Sequence, residues 1–472
     1  MRTLRARSEE RHHQLTHTKE EEYSAGPCPP DLETKSSMRL LLDVTRTIDH
    51  IYNSTPTGID RVEHAFLDWL LGDEKPASIE PHFVITAANM HSALNADQMR
   101  DTLSKARRLT MSTEHRESQF EALLDFLRQP VAISDENFGA ARFHGGTVRQ
   151  KPTKTRIYAT FAKALARGRA NFKRLVREAS NHQTVYFHTS HTQLEHGHMY
   201  RWLEAPNIRS MFFIHDVIPL DYPEFCSPPA RKNHIGRMQT VADRADCIIV
   251  NSEYTRQRVL HYLTPDRWTA QNIFVSQLGV DLPQIASTED VFTPDTPYFV
   301  CLGTMEGRKN LVHLLNVWRR IFETAGPDRT PRLVFVGKRG WECENVFDVL
   351  DRTAELSPYL AEVTGLNDVE LVRLLNGASG MVTPSWVEGY SLPPVEAICH
   401  GVPVIASDID AHRELIAGCA QLLDPSDGIA WKDAILDVAW RPEKRDALKL
   451  KTKDFVPRSW TTFVADCVHY GT

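Results

Sequence analysis

Short apolar runs recur along the chain, each followed by a turn and then by apolar residues at helical spacing. In the first half they are 39-RLLLDV-44, 82-HFVIT-86, 184-TVYFH-188, 210-SMFFIH-215, 247-CIIV-250 and 273-IFVSQ-277. In the second half they are 298-YFVCLG-303, 332-RLVFVG-337, 361-AEVTG-365, 380-GMVTP-384 and 403-PVIAS-407. Near-continuous apolarity over so few residues marks strands buried on both faces. Their alternation with helical segments predicts an α/β chain of parallel sheets joined by helical crossovers. Residues 1–37 are polar and charge-mixed, and read either as a disordered tail or as sequence ahead of a natural start at Met38. The proline-containing stretch 282-LPQIASTEDVFTPDTP-297 lacks periodicity and reads as a linker between two domains.

Composition narrows the class. At 472 residues the chain exceeds what one small core organises and suits two domains of ordinary size. A net charge of −6 gives no global case for nucleic-acid binding. The eight cysteines are scattered without a CxxC pair, and most sit in apolar contexts, so buried free thiols are expected. No apolar run reaches the ~18–20 residues of a membrane span, and the N-terminal 8-SEERHHQLTHTKEEE-22 has no hydrophobic signal core. A cytoplasmic protein is expected.

The most informative segment is 384-PSWVEGYSLPPVEAICHGVPVIAS-407, with Glu388 and Glu396 eight positions apart. Pro393 and Pro394 suit the first turn of a helix, where their missing N–H groups are not needed, and Gly401 suits its end. Gly389, Tyr390, Ser391 and Leu392 would then point free amides, with the positive end of the helix dipole, at an anion above the strand ends. A carboxylate beside them can accept two hydrogen bonds from a sugar diol. Together these describe a site for a sugar nucleotide.

The E-x7-E spacing followed by GVPVIASD resembles the retaining, nucleotide-sugar-dependent glycosyltransferases of family 4. So do 299-FVCLGTMEGRKNLVHLLNVW-318, 333-LVFVGKRGW-341, 211-MFFIHDVIPLDYPEF-225 and 245-ADCIIVNSEYTRQRV-259, in that family's order. The resemblance covers roughly residues 38–470. It implies two facing Rossmann-like domains of GT-B type with a deep cleft between them: an acceptor domain over 38–285 and a nucleotide-sugar domain over 286–472. The last helix is expected to pack back on the first domain. By the family's pattern Lys309 and Arg308 bind the diphosphate, near Gly303 and Gly337. Arg308 would stand in for the arginine that many members carry where this chain has Thr304. Glu396 takes the ribose, while Glu388 and His215 take the sugar, with Asp216 in support. Gly58 lies in the glycine loop, and Asp60, Arg61 and Glu63 after it are unassigned candidates for facing the acceptor.

The HDVIPLDYPEF block looks most like members that transfer mannose in bacterial polysaccharide assembly. GDP-mannose to a lipid-linked (polyprenyl-diphosphate) oligosaccharide is therefore the expected reaction, with UDP-sugars as the alternative donors and a non-catalytic sugar-binding subunit as the second alternative. No cofactor and no metal are expected. Asp408 and Asp410 form a DxD, but at a helix start where aspartates cap, and His188 with His191 has no support as a metal pair. Ser252 reads as a helix N-cap rather than a ligand. Residues 100–180 read as an insertion in the first domain. Within it, 151–177 carries nine basic and no acidic residues, with Tyr158, Phe161, Leu165, Phe172 and Val176 on one helical face. Such a helix either packs on the domain with a solvated basic face or docks on the anionic inner face of the cell membrane.

Overall fold

The computed structural model describes residues 37–51, 57–87, 89–111, 118–131, 138–145, 154–280, 292 and 294–471. Residues 1–36 and most of the expected linker lie outside this set. Two seven-stranded sheets organise the rest. The first contains β1 (Met38–Asp43), β2 (Ile79–Ala87), β3 (Met90–Asn95), β5 (Thr184–His188), β6 (Ile208–Ile214), β7 (Cys247–Val250) and β8 (Ile273–Val275), in the order β3-β2-β1-β5-β6-β7-β8. All its pairings are parallel except β2 with β3. The second contains β4 (Ala141–His144), β9 (Tyr298–Leu302), β10 (Arg332–Val336), β11 (Leu360–Thr364), β12 (Gly380–Thr383), β13 (Val404–Ser407) and β14 (Gln421–Leu423). Its order is β14-β13-β12-β9-β10-β11-β4, parallel throughout. The central strands are buried along their whole length because helices cover both faces, which is why they read as unbroken apolar runs.

Strand order reverses at β1/β5 in one sheet and at β9/β12 in the other. At such a reversal the connections leave in opposite directions and open a crevice beyond the strands' carboxyl ends. The final helix, Trp460–Gly471, returns to the first sheet. Phe463 packs edge-on against Phe66 and Phe213, and Arg209 donates to the Gly471 carbonyl.

One expectation for residues 100–180 needs correction, and of the two readings of the basic stretch the packed helix is the one observed. The middle of the stretch belongs to the second sheet, not to the first domain: β4 pairs with β11. The helix Phe120–Arg128 buries Phe120, Leu123, Leu124 and Leu127, and Arg332 and Arg373 lie over the Phe126 and Phe120 rings. The basic stretch from Lys154 on forms one helix, Lys154–Glu178, whose apolar face is covered at Leu165 and Phe172 while Tyr158 stays exposed. Leu165 and Phe172 are buried, and a Cβ on Gly168 would come within 2.2 Å of Ser92 Oγ on β3. Gly168 is thus a contact point with β3, and Leu165 and Phe172 have no apolar surface to offer a bilayer. The seven described cysteines are free.

Candidate active site

The loops after β9 and β12, neighbours at the strand-order reversal, carry the densest charge in the crevice. After β9 the backbone turns at Gly303 (φ +130°), whose carbonyl packs so closely on Gly337 (φ +148°) that a Cβ there would lie 2.1 Å from it. Only glycine fits that approach. The turn Gly307–Lys309 then ends at Asn310 in the left-handed region, tied by its side chain to the Pro425 carbonyl. The Trp386 amide donates to the Arg308 carbonyl at 2.8 Å, fixing the two loops together.

Glu388 sits between them, 5% exposed. It accepts from Lys309 Nζ at 2.6 Å and Ser385 Oγ at 2.9 Å, and pairs with Arg308. Burial alone would raise its pKa, but the two cations hold the carboxyl well below the usual carboxylate range. Arg308 is also held by Glu306 at 2.9 Å. The expected phosphate cations and the expected sugar carboxylate, together with Glu306, therefore form one charge-balanced cluster, with Lys309 buried.

The Gly389–Leu392 turn lies beside it. A Cβ on Gly389 would meet the His215 carbonyl at 2.5 Å and Asp216 Cβ at 2.9 Å, so the two halves of the chain touch here. The Gly389 carbonyl accepts from Ser252 Oγ at 2.8 Å and Thr255 Oγ1 at 3.2 Å. Tyr390 donates to the Leu278 carbonyl. Ser391 adopts φ +78° and is buried, and its hydroxyl has no partner among the described residues. Leu392 opens the helix Leu392–Cys399, with prolines in its first turn and Gly401 in the left-handed region just past its end. None of the amides from Gly389 to Leu392 donates to a described residue. A buried orphan hydroxyl beside unclaimed helix-terminal amides is an anion cradle.

The first half faces this cradle. His215 donates from Nε2 to the Thr189 carbonyl at 2.7 Å, and its own carbonyl accepts from Asn251. Burial pushes its imidazole down to about 4, so it is neutral at pH 7, with Nδ1 left as an acceptor for a hydroxyl. Asp216 accepts from the Ile218 amide and so caps the turn after β6. Thr57 and Asp60 form a reciprocal cap at the helix Gly58–Leu71, and Gly58 faces Leu392 across the crevice. Of the three unassigned candidates, Asp60 is consumed by Arg46, His50 and Thr57, and Glu63 is fully buried. Arg61 crosses the crevice and pairs with Glu396.

Some pieces had no local signal in the sequence. Glu414 accepts from the Glu253 and Tyr254 amides at 2.7 and 3.0 Å, closing the N-terminus of the helix Glu253–Tyr262 from the opposite half. Ser252 is that helix's N-cap. Asp408 and Asp410 do not cap with their side chains; both pair with Arg413, at 2.6 and 3.0 Å. Among the described residues no group of three or more His, Cys, Asp or Glu is arranged to hold a metal ion.

Two Rossmann-like halves with a crevice between facing carboxyl edges define the GT-B architecture. Residues 296–439 match the family described as glycosyl transferases group 1. The serotype-specific mannosyltransferase WbdA of Escherichia coli is 27% identical over 229 residues, 45% of this chain and 28% of WbdA. The O-antigen chain mannosyltransferase B of the same organism is 27% identical over 247 residues, 49% of this chain and 63% of that protein. The chain thus spans between about a quarter and two thirds of the length of these relatives. The structure of Anabaena HepE in complex with UDP and glucose matches with a TM-score of 0.57, 12% identity and coverage of 92% of this chain and 99% of HepE. The N-terminal domain of Candida albicans trehalose-6-phosphate phosphatase matches with a TM-score of 0.53, 15% identity and coverage of 94% and 99%.

Proposed function

We propose that the chain transfers a hexose from a nucleotide diphosphate sugar to a glycan acceptor, with retention of anomeric configuration, in the assembly of a cell-surface polysaccharide. The observation that carries this reading is the cradle at Gly389–Leu392. It offers unclaimed amides and an orphan Ser391 hydroxyl within a loop whose other side chain, Glu388, binds Lys309 and Arg308. A departing nucleoside diphosphate develops negative charge, and preorganised amides and cations stabilise it without reorganising. Because Glu388 already pairs with those cations, donor phosphates would share them and free the carboxylate for sugar hydroxyls. His215 Nδ1 would accept from another hydroxyl, and Glu396 would take the ribose. Among the described residues at the site, Glu388 is held by Lys309 and Arg308 and Asp216 by the Ile218 amide, so neither is poised as a covalent nucleophile. Same-face attack, with the leaving phosphate oxygen accepting the acceptor's proton, is the mechanism that fits, and it needs no metal.

Mannose from GDP-mannose is the first choice of donor, supported by the mannosyltransferase relatives. UDP-sugars are the second reading, supported by the UDP and glucose held by HepE on the same fold. A non-catalytic subunit is disfavoured because both cations and both glutamates are present. A lipid-linked acceptor would bring the enzyme to a membrane. No helix among the described residues is long and apolar enough to cross one, so contact would rest on the exposed Lys163, Arg169, Lys173 and Arg174 of the basic helix. Thermal-shift screening of GDP- and UDP-sugars, followed by nucleotide release with and without acceptor, tests the proposal. A ligand at 100 times its dissociation constant should add about 2.7 kcal/mol of stability. Stabilisation by no sugar nucleotide, or release that ignores the acceptor, would sink it.

A further inference from the structure

Arg61, in the first turn of the helix Gly58–Leu71, and Glu396, in the helix Leu392–Cys399, form an ion pair between positions 335 residues apart. The Glu396 side chain is 13% exposed and that of Arg61 29%, so the carboxylate is largely enclosed and the guanidinium closes the way to it. The reading of the site above gives this same carboxylate to the donor's ribose, and the inference rests on that reading. A vicinal diol held bidentately takes one lone pair on each carboxylate oxygen, and Arg61 already occupies one on Oε1. Guanidinium and ribose therefore compete for that oxygen and for the largely enclosed space beside it.

We propose that Arg61 is a latch across the crevice, which holds Glu396 in the empty enzyme and is exchanged for the ribose when the donor binds. The remaining contacts between the halves permit this. The Glu414 cap on the Glu253–Tyr262 helix and the Ser252 and Thr255 bonds to the Gly389 carbonyl use neither Arg61 nor Glu396. They form a joint that stays closed while the latch opens. In its own part of the helix Arg61 has no substitute carboxylate among the described residues, because Asp60 is saturated by Arg46, His50 and Thr57, Glu63 is buried beneath and Asp68 lies two turns further on. A ligand in the crevice is then the alternative partner. Donor entry is opposed by the latch, and the opposition is confined to ligands that carry a ribose.

Calorimetric titration of GDP, UDP and inorganic pyrophosphate into wild type, Arg61→Met and Arg61→Lys tests the exchange. Arg61→Met should bind whichever nucleoside diphosphate the wild type binds about fivefold more tightly, the factor set by losing a competing pair worth about 1 kcal/mol. Pyrophosphate affinity should not change, and Arg61→Lys should behave as wild type. Arg61→Gln repeats the test should the methionine variant not fold. Unchanged or weakened nucleotide binding in Arg61→Met overturns the latch, as does equal tightening of pyrophosphate, since the gain would then bypass the ribose. A wild type that binds neither GDP nor UDP overturns the nucleotide site itself, a different and recognisable failure.

Discussion

Replacing Glu63 by glutamine should remove a pH dependence from the stability of the first half. Glu63 is fully buried on the helix that carries Gly58 and Arg61. One carboxyl oxygen accepts from the Thr47 amide at 2.7 Å, and the other has no partner among the described residues. The charged groups around it are Arg46, committed to Asp60, and the buried Asp43 carboxylate, which accepts from the Thr45 amide at 3.0 Å and the Tyr186 hydroxyl at 2.9 Å. Burial, joined by repulsion from Asp43, outweighs the Thr47 hydrogen bonds and Arg46, and the carboxyl is pushed up from 4.5 to about 8. The native state therefore keeps Glu63 protonated at pH 7 while the unfolded chain releases the proton. Its contribution to stability is complete below pH 4.5 and is lost as pH rises through about 8.

At about 1.4 kcal/mol per pH unit, the gap between 4.5 and about 8 sets a ceiling of about 5 kcal/mol on that loss. Urea unfolding followed by tryptophan fluorescence at pH 5, 7 and 9 measures it. Wild type should weaken by several kcal/mol across this range. Glu63→Gln should be flatter by a comparable amount and should exceed wild type at pH 9. Nucleotide affinity should decline with stability at high pH in wild type and less in the variant, because the same helix presents the glycine loop. Parallel pH curves for the two proteins would refute the assignment of a neutral acid at this position.

Three further outcomes follow from the site. Lys309→Met should lower turnover by about 10²–10³ while leaving the fold intact, since Arg308 still pairs with Glu388; near-normal turnover would remove Lys309 from the diphosphate site. Gly389→Ala forces a Cβ to within 2.5 Å of the His215 carbonyl and should part the two halves, seen as an enlarged radius of gyration and weakened donor binding; an unchanged radius would show that the contact yields locally. Transfer should persist in excess chelator, and Asp408→Asn should act through loss of the Arg413 pair if at all; abolition by chelator with rescue by manganese would return Asp408 and Asp410 to catalysis.

What the sequence made legible followed from locality. Strands such as Thr184–His188 and Cys247–Val250 lie at the predicted residues because they are buried on both faces and carry no competing pattern. The turn and helix at 389–401 were readable because the proline pair fixes the first helical turn and Gly401 supplies the left-handed residue after it. The antiparallel β3 and the short β14 were missed, since half-exposed edge strands such as 90-MHSALN-95 and 421-QLL-423 carry too few apolar residues to stand out. The charge pairings were not legible at all. Arg61 with Glu396 and Glu414 with the Glu253 amide join positions 335 and 161 apart, and no spacing rule reaches across two domains. The expected caps at Asp408 and Asp410 failed because a nearby guanidinium, Arg413, competes for both carboxylates.

The segment 118–145 changes how the two halves can move. The chain leaves the first sheet after the helix Ala96–Met111, contributes the Phe120–Arg128 helix and β4 to the second sheet, and returns to the first at Lys154–Glu178. It is held on the second sheet by the β4–β11 pairing, by Ser118 donating to Glu370 at 2.7 Å and by Ser357 donating to the Gly139 carbonyl at 2.6 Å. Arg142 and Arg339 share Asp351 and Glu362 along the same edge. In a chain with one linker and one returning helix, opening of the crevice is resisted only by contacts at its rim. Here the chain also contributes described residues of 118–145 to the second sheet between two visits to the first, and β4 sits far in strand order from β9 and β12, where the charged cluster is. Exchange of Arg61 for a ribose needs no such opening: the β4 pairing and the Glu414 and Gly389 contacts can all persist while one side chain moves within the crevice, and the donor would govern it through one carboxylate.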